Sequence, residues 1–343
     1  MMYDELENPH TATVLIKQRA IEYGADLVGI APMSRFEGAP KQMDPRYIMP
    51  AAKSCIAVAF RVLRGSLRGI EEGTFFSNYS AMGYGGITYV FMPTAVVNLC
   101  KYIEDHGYEA FPMGHQSDWR AIDNEGVLRR GFSRPVSPDK PAPDIMVHLR
   151  IAAYLCGLGE IGWSKMLITP EFGPAVRVGL VFTELELEYD DIYSGPQLCN
   201  RCMACVRACP GKCISADKSV KVTVAGHDLE WGEIDTEACD LAFRGAEEGP
   251  GNYLPGKNNY RPNAISPFYQ VPPKVYTAGK AVCGSGGCTR ACLASLEARN
   301  MLTRKMRQKF RRNKPWSVDW SDYDANATNT GGTVGINTKL DTD

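Results

Sequence analysis

The hydrophobic positions of the first sixty residues switch between helical and extended spacing. Over residues 11–23, apolar residues recur at helical intervals among basic ones, and Gly24 follows, which predicts a surface helix that ends at a glycine. Two short apolar runs, residues 27–31 and 54–60, predict buried strands, with a loop and a helix start over residues 45–53 between them. The order helix, strand, helix, strand predicts an α/β sandwich.

The rest of the chain alternates predicted elements with long irregular segments. Residues 64–86 are rich in glycine, serine and aromatic residues and show no clear period. The elements predicted beyond them are a helix over 89–105 with Pro93 near its start, strands over 109–113, over 175–182 with a partner near 185–189, and over 220–224, a helix over 148–158, and a basic amphipathic helix over 291–312. Segments 121–143 and 245–277 predict long loops of the kind that is usually functional or disordered, and the polar residues after Trp316 predict partial disorder.

Composition and charge narrow the class of protein. The 343 residues suit one large or two ordinary domains, and an apolar fraction of 44% supports a sizeable core. A net charge of −1 offers no attraction for DNA or an anionic membrane, and no run of eighteen apolar residues is present, so we expect neither a DNA partner nor a membrane span. The acidic and polar residues 1–10 resemble neither a signal peptide nor a twin-arginine leader, so we expect a cytoplasmic protein.

A cysteine run at residues 199–210 carries the strongest chemical signal. Cys199, Cys202 and Cys205 follow one another at intervals of three, and Cys209 comes four residues later, directly before Pro210. This is the spacing of bacterial ferredoxins, in which three thiolates wrap one corner of an iron–sulfur cubane and the fourth ligates a second cluster. The run therefore predicts two [4Fe–4S] clusters.

A second set of cysteines lies downstream, as two clusters require. We assign one cluster to the first three cysteines of the run together with Cys292. The second cluster then takes Cys209 and three downstream cysteines, which are Cys239, Cys283 and Cys288. The interval from Cys283 to Cys288 is wider than usual, and Leu293 stands where a proline is common.

Zinc and disulfide bonds are the alternative uses of these cysteines. A structural zinc site built from C-x2-C pairs would use four of them, but it leaves Cys205 and the Cys209–Pro210 extension unexplained. Disulfide bonds require an oxidising compartment, for which the sequence shows no secretory signal. Cys213, four residues past the run, resembles a ligand by its position only. The other remaining cysteines lie in apolar surroundings and predict small buried side chains; they are Cys55, Cys100 and Cys156.

Several motifs together resemble one known family. In chain order they are Gly107-Tyr108, then GLGEIG over residues 157–162, then ITPEFGPAVR over 168–177, then TELEL over 183–187, and then the cysteine run. Over roughly residues 10–315 this order resembles the catalytic core of corrinoid-dependent reductive dehalogenases, a core shared by epoxyqueuosine reductase, which modifies tRNA. The cysteine run alone occurs in many ferredoxin-like proteins, whereas its conjunction with both glycine motifs is specific, and ITPEFGP favours the dehalogenase branch.

The resemblance implies a fold, a cofactor set and partners. It implies an α+β fold in which a nitroreductase-like α/β sandwich core holds base-off cobalamin and a ferredoxin-like insert with two [4Fe–4S] clusters supplies electrons. By this resemblance the core covers residues 1–190, the dicluster domain 191–300 and a C-terminal helix and tail 301–343, while 210–282 contribute to the cofactor pocket. The implied electron donor is a ferredoxin or flavodoxin, and the implied substrate is a small molecule.

The resemblance also implies a proton-donating tyrosine and a basic residue beside the substrate. By position Tyr89 fits the tyrosine, with Tyr79 and Tyr84 as rivals, and Arg177 fits the basic residue. His115 falls where the dehalogenases place a polar pocket residue, usually asparagine. These residue types suit the task, because a tyrosine donates its proton more readily beside a cation and arginine stays charged at any working pH.

The glycine motifs do not form a dinucleotide-binding fingerprint, because a helix rather than a strand precedes them. Glycines after a helix allow a sharp turn or a close approach to the backbone, and in a corrin-binding family they would let the ring lie against the chain. The residues assigned to this contact are Gly157, Gly159, Gly162, Thr169, Pro170 and Gly173. The sequence has no Asp-x-His-x-x-Gly motif to supply a lower axial ligand, in keeping with base-off cobalamin.

Together these features predict an oxidoreductase that performs a reductive cleavage, with reductive dehalogenation of a small organic substrate as the leading hypothesis. Two alternatives stay open. One is a tRNA-modification enzyme that resembles epoxyqueuosine reductase. The other is a corrinoid-free dicluster electron-transfer subunit that docks its partner through the basic helix predicted over residues 291–312.

Overall fold

The computed structural model describes residues 3–311 except 73, 76–77, 116–134 and 244–286, and within them it combines helices with three sheets. The helices are α1 Pro9–Glu22, α2 Arg64–Glu72, a π-helix Tyr79–Phe91, α3 Met92–Asp105, α4 Leu149–Leu155, α5 Ala204–Arg207, α6 Thr236–Phe243 and α7 Cys288–Ala298. The strands are β1 Leu27–Pro32, β2 Ser54–Arg61, β3 Ala110–Met113, β4 Glu160–Ile161, β5 Leu167–Ile168, β6 Val176–Thr183, β7 Ile214–Val224 and β8 His227–Ile234. None of the described helices has both the length and the apolar character needed to cross a membrane.

A four-stranded antiparallel sheet in the order β1–β2–β6–β3 forms the centre of the fold. All residues of β2 except the last are buried, because both faces of the sheet are covered. Ile56 and Val58 point into one core, which they share with α1, α3 and the π-helix. Cys55 and Ala57 point into a second core, which they share with α4. The uninterrupted apolar run of β2 is therefore a strand with helices on both sides.

The predicted elements are confirmed where the apolar pattern is long or unbroken. The helix predicted over residues 11–23 is α1, and the helix over 148–158 is α4, which is shorter than predicted at its C-terminal end. The strands predicted over 27–31, 54–60, 109–113 and 175–182 correspond to β1, β2, β3 and β6. Local signals fix the start of α1, because Asn8 accepts a hydrogen bond from the Thr11 backbone N–H at 3.0 Å and Pro9 follows at the first helical position.

Two predictions, for residues 45–53 and 185–189, are wrong. Instead of a helix start over residues 45–53, the chain forms only a short 3-10 turn at Pro45–Tyr47, because Pro50 cannot continue a helix and disfavours helical geometry before it. No strand forms near 185–189, and β6 pairs with β2 and β3 instead. The alternation there arises because Leu185 and Leu187 are buried, while the Glu188 backbone N–H donates to Thr13 of α1 at 2.7 Å.

The C-terminal half departs from prediction in two more places. The helix predicted over 291–312 is α7, which starts at Cys288 and ends at Ala298, because Asn300 adopts a left-handed φ of 58° that terminates a helix. The strand predicted over 220–224 is the end of the longer β7, which forms a hairpin with β8. Ala225 and Gly226 have positive φ angles, as a tight two-residue hairpin turn requires. The segment 245–277 and the residues after Trp316 lie outside the described residues, as do 121–134 of the segment 121–143.

Candidate active site

Four of the predicted cluster ligands line one cavity and are called the first thiol group here: Cys199, Cys202, Cys205 and Cys292. The loop that carries the first three turns sharply, because Arg201 and Met203 have left-handed φ angles of 52° and 56°. The backbone N–H of Trp163 lies 3.4 Å from Cys199 Sγ. Cys202 is exposed, and its Sγ lies 3.4 Å from Ser295 Oγ on α7. The first thiol group therefore lies at the surface between this loop and α7.

Three further predicted ligands, Cys209, Cys239 and Cys288, form the second thiol group. Burial, and then the negative charges of Cys209 and Cys239, raise the pKa of the Cys288 thiol to about 11, which reflects how close the three sulfurs lie. Cys213 also belongs to this neighbourhood, since its Sγ lies 3.2 Å from Cys209 Sγ and it hydrogen-bonds with Cys239. Cys283, assigned to the same cluster, lies outside the described residues.

Two short helices connect the thiol groups. Cys205 in α5 belongs to the first group, and Cys209, four residues later, belongs to the second. In α7, Cys292 belongs to the first group and Cys288, four residues before it, belongs to the second. Residues four apart in a helix share one face, so α7 presents one thiol to each group, and it packs against α5, which carries Cys205 and ends two residues before Cys209. The two groups are therefore neighbours, as direct electron transfer between clusters requires.

The thiol groups fit cubane clusters by their arrangement. Among the described residues, no three His, Cys, Asp or Glu side chains converge closely enough to hold a single metal ion. A [4Fe–4S] cubane binds one cysteine at each of four iron corners, so its ligands surround a volume instead of meeting at a point. The four thiols of the first group surround a cavity in this way.

A row of three tyrosines lies on the π-helix Tyr79–Phe91. Tyr79, Tyr84 and Tyr89 are spaced five residues apart, which is the hydrogen-bonding interval of a π-helix. In an α-helix the same interval would rotate successive side chains by about 140°. Tyr84 Oη lies 3.4 Å from Tyr89 Oη, and their rings pack edge to face. The π-helix is therefore what brings these phenols to one side.

Arg177 on β6 and His115 after β3 lie at opposite ends of the tyrosine row. Arg177 Nη2 donates to Tyr79 Oη at 2.7 Å, and its guanidinium lies 4.5 Å from the centre of the Tyr84 ring. Nε of Arg177 is buried without a hydrogen-bond partner in the described part of the chain. Tyr89 Oη lies 3.5 Å from His115 Nδ1. The structure thus gathers Tyr89, Arg177 and His115 into one cluster. Within it, the Arg177 guanidinium contacts Tyr79 and Tyr84, the two rivals of Tyr89 as proton donor.

The protonation states of this cluster follow from burial and charge. Burial raises the pKa of the Tyr84 phenol, and its hydrogen bond with Tyr89 raises that pKa further. Loss of solvent lowers the pKa of His115, and the positive charges of Arg177 and Arg150 lower it further. At neutral pH, Tyr84 is therefore a neutral proton donor and His115 a neutral imidazole that can accept or donate.

Arg150 at the start of α4 lies between the tyrosine row and the second thiol group. Burial lowers its pKa, and Cys288, Arg177, Cys239 and Tyr84 all lie close enough to act on its charge. Its Nη1 donates to the Lys165 carbonyl at 3.0 Å. The guanidinium therefore connects the thiols with the tyrosines.

The glycines of the GLGEIG motif pack against the chain itself. A Cβ at Gly157 would lie 2.3 Å from the carbonyl oxygen of Asp191, and one at Gly159 would lie 2.1 Å from that of Ile168. A Cβ at Gly162 would lie 2.5 Å from the Ile168 side chain and 3.7 Å from Cys199 Sγ. The motif therefore allows close packing beside the first thiol group.

The ITPEFGP motif holds α7 in place. Gly173 has a φ of +57°, and a Cβ there would lie 2.8 Å from Leu296 of α7. The Thr169 hydroxyl accepts from the Phe172 backbone N–H at 3.1 Å, which closes the loop. The Pro170 carbonyl accepts from the Thr303 backbone N–H at 2.9 Å. Contact of either glycine motif with a corrin stays a prediction, since these contacts give each glycine a packing reason of its own.

No protein family model matches this chain. Its sequence is nevertheless similar to those of known proteins, over stretches of different length. Over 97 residues, 25% of this chain, it is 37% identical to a tetrachloroethene reductive dehalogenase of Desulfitobacterium hafniense, of which the match covers 17%. Over 227 residues, 65% of this chain, it is 43% identical to an epoxyqueuosine reductase of Gloeobacter violaceus, of which it covers 59%. The chain is thus similar in sequence to both reductive dehalogenases and epoxyqueuosine reductases.

The fold is also similar to that of a solved reductive dehalogenase. A reductive dehalogenase whose structure suggests a mechanism for B12-dependent dehalogenation superposes on 93% of this chain and 43% of its own, with a TM-score of 0.51 and 17% sequence identity. At that identity the likeness concerns the fold alone. The chain spans less than a fifth of the tetrachloroethene dehalogenase that it matches. Which reaction this chain performs must therefore be inferred from its site.

Sequence reasoning gave no role to Arg150 and left Cys213 outside the ligand set. It treated Tyr79 and Tyr84 as rivals of Tyr89 instead of as its neighbours. Arg150 carries no local signal, because only the packing of α4 brings it to Cys288 and Tyr84. Cys213 was placed outside the ligand set, although it contacts Cys209. The five-residue spacing of the tyrosines was the available sign that Tyr79 and Tyr84 share a face with Tyr89.

Proposed function

We propose that this chain is a cobalamin-dependent iron–sulfur oxidoreductase that performs a reductive cleavage, most specifically reductive dehalogenation of a small organic substrate. The observation that carries the proposal is that the tyrosine row lies beside the second thiol group, since the Tyr84 ring packs edge to face against Phe243 of α6, the helix that carries Cys239, with 5.3 Å between ring centres. Replacing a halogen by hydrogen consumes two electrons and one proton and releases a halide. An electron carrier alone needs no proton donor beside its clusters, whereas this reaction needs both together.

The proposed cofactors are two [4Fe–4S] clusters and one base-off cobalamin. The first thiol group would hold one cluster, and the second thiol group with Cys283 would hold the other. When bound, the clusters would supply single electrons and the cobalamin would supply the reducing centre for the cleavage. We propose a domain organisation to match. A nitroreductase-like core covers residues 1–190, and a ferredoxin-like dicluster domain covers residues 191–300, of which 210–282 contribute to the cofactor pocket. Residues 301–343 form the C-terminal part.

The tyrosine row would supply the proton, with Tyr89 as the donor. Tyr89 is half-buried, whereas Tyr79 and Tyr84 are buried, so its hydroxyl is the one that a substrate can approach. Tyr84 and His115 lie beside that hydroxyl and can restore its proton. Arg177 places a fixed positive charge against the row, which favours release of the proton and attracts the departing halide.

A variant series tests this assignment under anaerobic conditions, with a panel of small organohalides and a chemical reductant. We expect Tyr89→Phe to lower turnover by about 10²–10⁴-fold, the usual contribution of a general acid, and to leave iron and cobalt contents unchanged. Tyr102→Phe is the matched control, because Tyr102 lies on α3 and its hydroxyl makes no hydrogen bond within the described residues. If Tyr89→Phe turns over normally and Tyr79→Phe does not, then Tyr79 is the donor. Normal turnover in Tyr79→Phe, Tyr84→Phe and Tyr89→Phe alike would refute a tyrosine donor.

Metal stoichiometry tests the cofactor set before any substrate is known. Anaerobically reconstituted protein with added cobalamin should hold about eight irons and about one cobalt per chain. About eight irons without cobalt would contradict the corrinoid proposal. That result would favour the electron-transfer subunit, and the search would then turn to its partner protein.

The proposed electron donor is a ferredoxin or flavodoxin that docks where Cys202 is exposed. Arg207 and Arg299 lie close enough to act on the charge of Cys202, and Arg201 is exposed beside it. Positive charge around an exposed cluster edge attracts a carrier with an acidic surface. Reduction by such a carrier should slow as salt rises, whereas reduction by a small neutral reductant should not.

Epoxyqueuosine reduction is the second candidate, favoured by the length of the match to the Gloeobacter violaceus enzyme. The same clusters and proton donor would then serve a modified nucleoside in tRNA. The test is complementation of a strain that lacks its own epoxyqueuosine reductase. Queuosine restored in tRNA by this chain alone would support the second candidate over dehalogenation.

A further inference from the structure

Cys213 differs from the other cysteines that the cluster proposal leaves unused. Cys55 and Cys156 pack against each other in the sheet core, with their sulfurs 3.8 Å apart, and Cys100 lies in the apolar core beside α3. Cys213 is buried among thiols instead. Its Sγ lies 3.2 Å from Cys209 Sγ, and it also hydrogen-bonds with Cys239. A small apolar side chain would fill this position equally well, so the thiol itself calls for an explanation.

We propose that Cys213 is a reserve ligand of the second cluster, able to bind the iron that Cys209 otherwise binds. The inference rests on the proposed cluster set, in which Cys209 belongs to the second thiol group. Two sulfurs 3.2 Å apart face the same corner of a cubane, and one iron corner binds one cysteine. Only one of the two, Cys209 or Cys213, can therefore bind this iron at a time. The surrounding backbone indicates which of them normally does.

The backbone favours Cys209 as the resident ligand. The backbone N–H groups of Gly211, Cys213 and Ile214 all lie close enough to Cys209 Sγ to stabilise its thiolate. Backbone N–H donors of this kind stabilise a thiolate that ligates iron, and they shift the potential of the cluster. No comparable set of backbone donors acts on Cys213 among the described residues, whose thiol partners are Cys209 and Cys239.

The turn between the two cysteines holds Cys213 in reach of the same iron. Lys212 has a left-handed φ of 48°, and its N–H donates to the Cys209 carbonyl at 3.1 Å, so the chain reverses after Pro210. The Cys213 carbonyl accepts from the Asp235 N–H at 2.9 Å, just before α6, which carries Cys239. With the backbone anchored, a rotation about χ1 of Cys213 is the only motion needed to move its sulfur onto the corner.

Alanine variants of the full chain test the exchange after anaerobic reconstitution, by iron content and by electron paramagnetic resonance of the reduced protein. We expect Cys209→Ala to keep about eight irons and to change the signal of one cluster, because Cys213 replaces the lost ligand. We expect Cys213→Ala to keep about eight irons with an unchanged signal. The double variant should keep about four irons. A fall to about four irons in Cys209→Ala alone would overturn the proposal.

Two further readouts separate failure of the inference from other failures. If the double variant keeps about eight irons and the wild-type signal, neither cysteine is a ligand, and the proposed cluster set fails together with the inference. The signal of the first cluster reports folding, since its ligands are untouched. If Cys209→Ala does not fold, Cys209→Ser with and without Cys213→Ala repeats the comparison with a side chain of similar size. Identical signals in that pair would overturn the proposal.

Discussion

The buried ion pair between Arg290 of α7 and Glu71 of α2 is expected to contribute strongly to stability. Arg290 Nε lies 2.5 Å from Glu71 Oε2, and the two side chains are 5% and 1% exposed. Glu71→Gln keeps the shape of the side chain but removes its charge. Arg290 then stays buried and keeps its hydrogen bond to the Arg311 carbonyl, but it loses the charge of the Glu71 carboxylate. Breaking a buried pair from one side costs about 3–5 kcal/mol, so we expect the free energy of unfolding to fall by about that amount.

The neighbouring carboxylate provides the control. Glu72 is 41% exposed and pairs with Arg68 at 3.1 Å and with Arg311 at 2.5 Å. Exposed pairs contribute about 0–1 kcal/mol, so Glu72→Gln should have little effect. A second control, Glu71→Leu with Arg290→Met, removes both charges and should recover most of the lost stability, because no buried charge is left without a partner.

The assay is urea denaturation of the cluster-loaded protein under anaerobic conditions. Far-UV circular dichroism reports the helices, and visible absorbance reports the clusters whose proposed ligands Cys288 and Cys292 lie on α7. Because bound cofactors disturb two-state unfolding, the variants are compared by midpoint shifts at a common slope. The reasoning is refuted if the losses for Glu71→Gln and Glu72→Gln differ by less than about 1 kcal/mol.

Three further expectations concern pH, packing and the clusters. Burial, and then nearby positive charge, lower the pKa of His148 from 6.5 to about 4, so the folded state favours the neutral imidazole and the free energy of unfolding should fall as the pH drops from 6.5 towards 4. The variant His148→Asn can still cap α4 and should flatten this part of the stability profile. An unchanged profile would contradict the assignment. Gly173→Ala should lower the urea midpoint more than Gly226→Ala does. Both glycines have left-handed φ angles, but only a Cβ at residue 173 would lie within 2.8 Å of Leu296 on α7. Equal shifts would count against a role of Gly173 in the packing of α7. Cys202→Ser should leave about four of eight irons, and retention of both clusters would refute the ligand assignment.

Local patterns in the sequence predicted much of the fold and the metal ligands. β2 follows from an unbroken apolar run, β6 from an apolar run that Arg177 and Gly179 interrupt, and α1 from its cap and its helical spacing. The cysteine run predicts a tight ligand loop because its spacing alone limits where three thiols can point. Where an alternating or basic pattern had another cause, the predictions were wrong. Leu185 and Leu187 alternate because they anchor an irregular segment in the core, and the basic residues beyond Ala298 follow a helix that has already ended.

The sequence by itself determined which residue types are present for iron–sulfur chemistry and proton donation, since spacing between near neighbours constrains the backbone directly. Only the tertiary structure decided which of them meet. The π-helix aligns Tyr79, Tyr84 and Tyr89, whose five-residue spacing would not give a common face in an α-helix. The packing of α4 brings Arg150 to residues about thirty to seventy positions before it and more than one hundred after it. Contacts across such separations depend on how whole elements pack, and no local pattern encodes them.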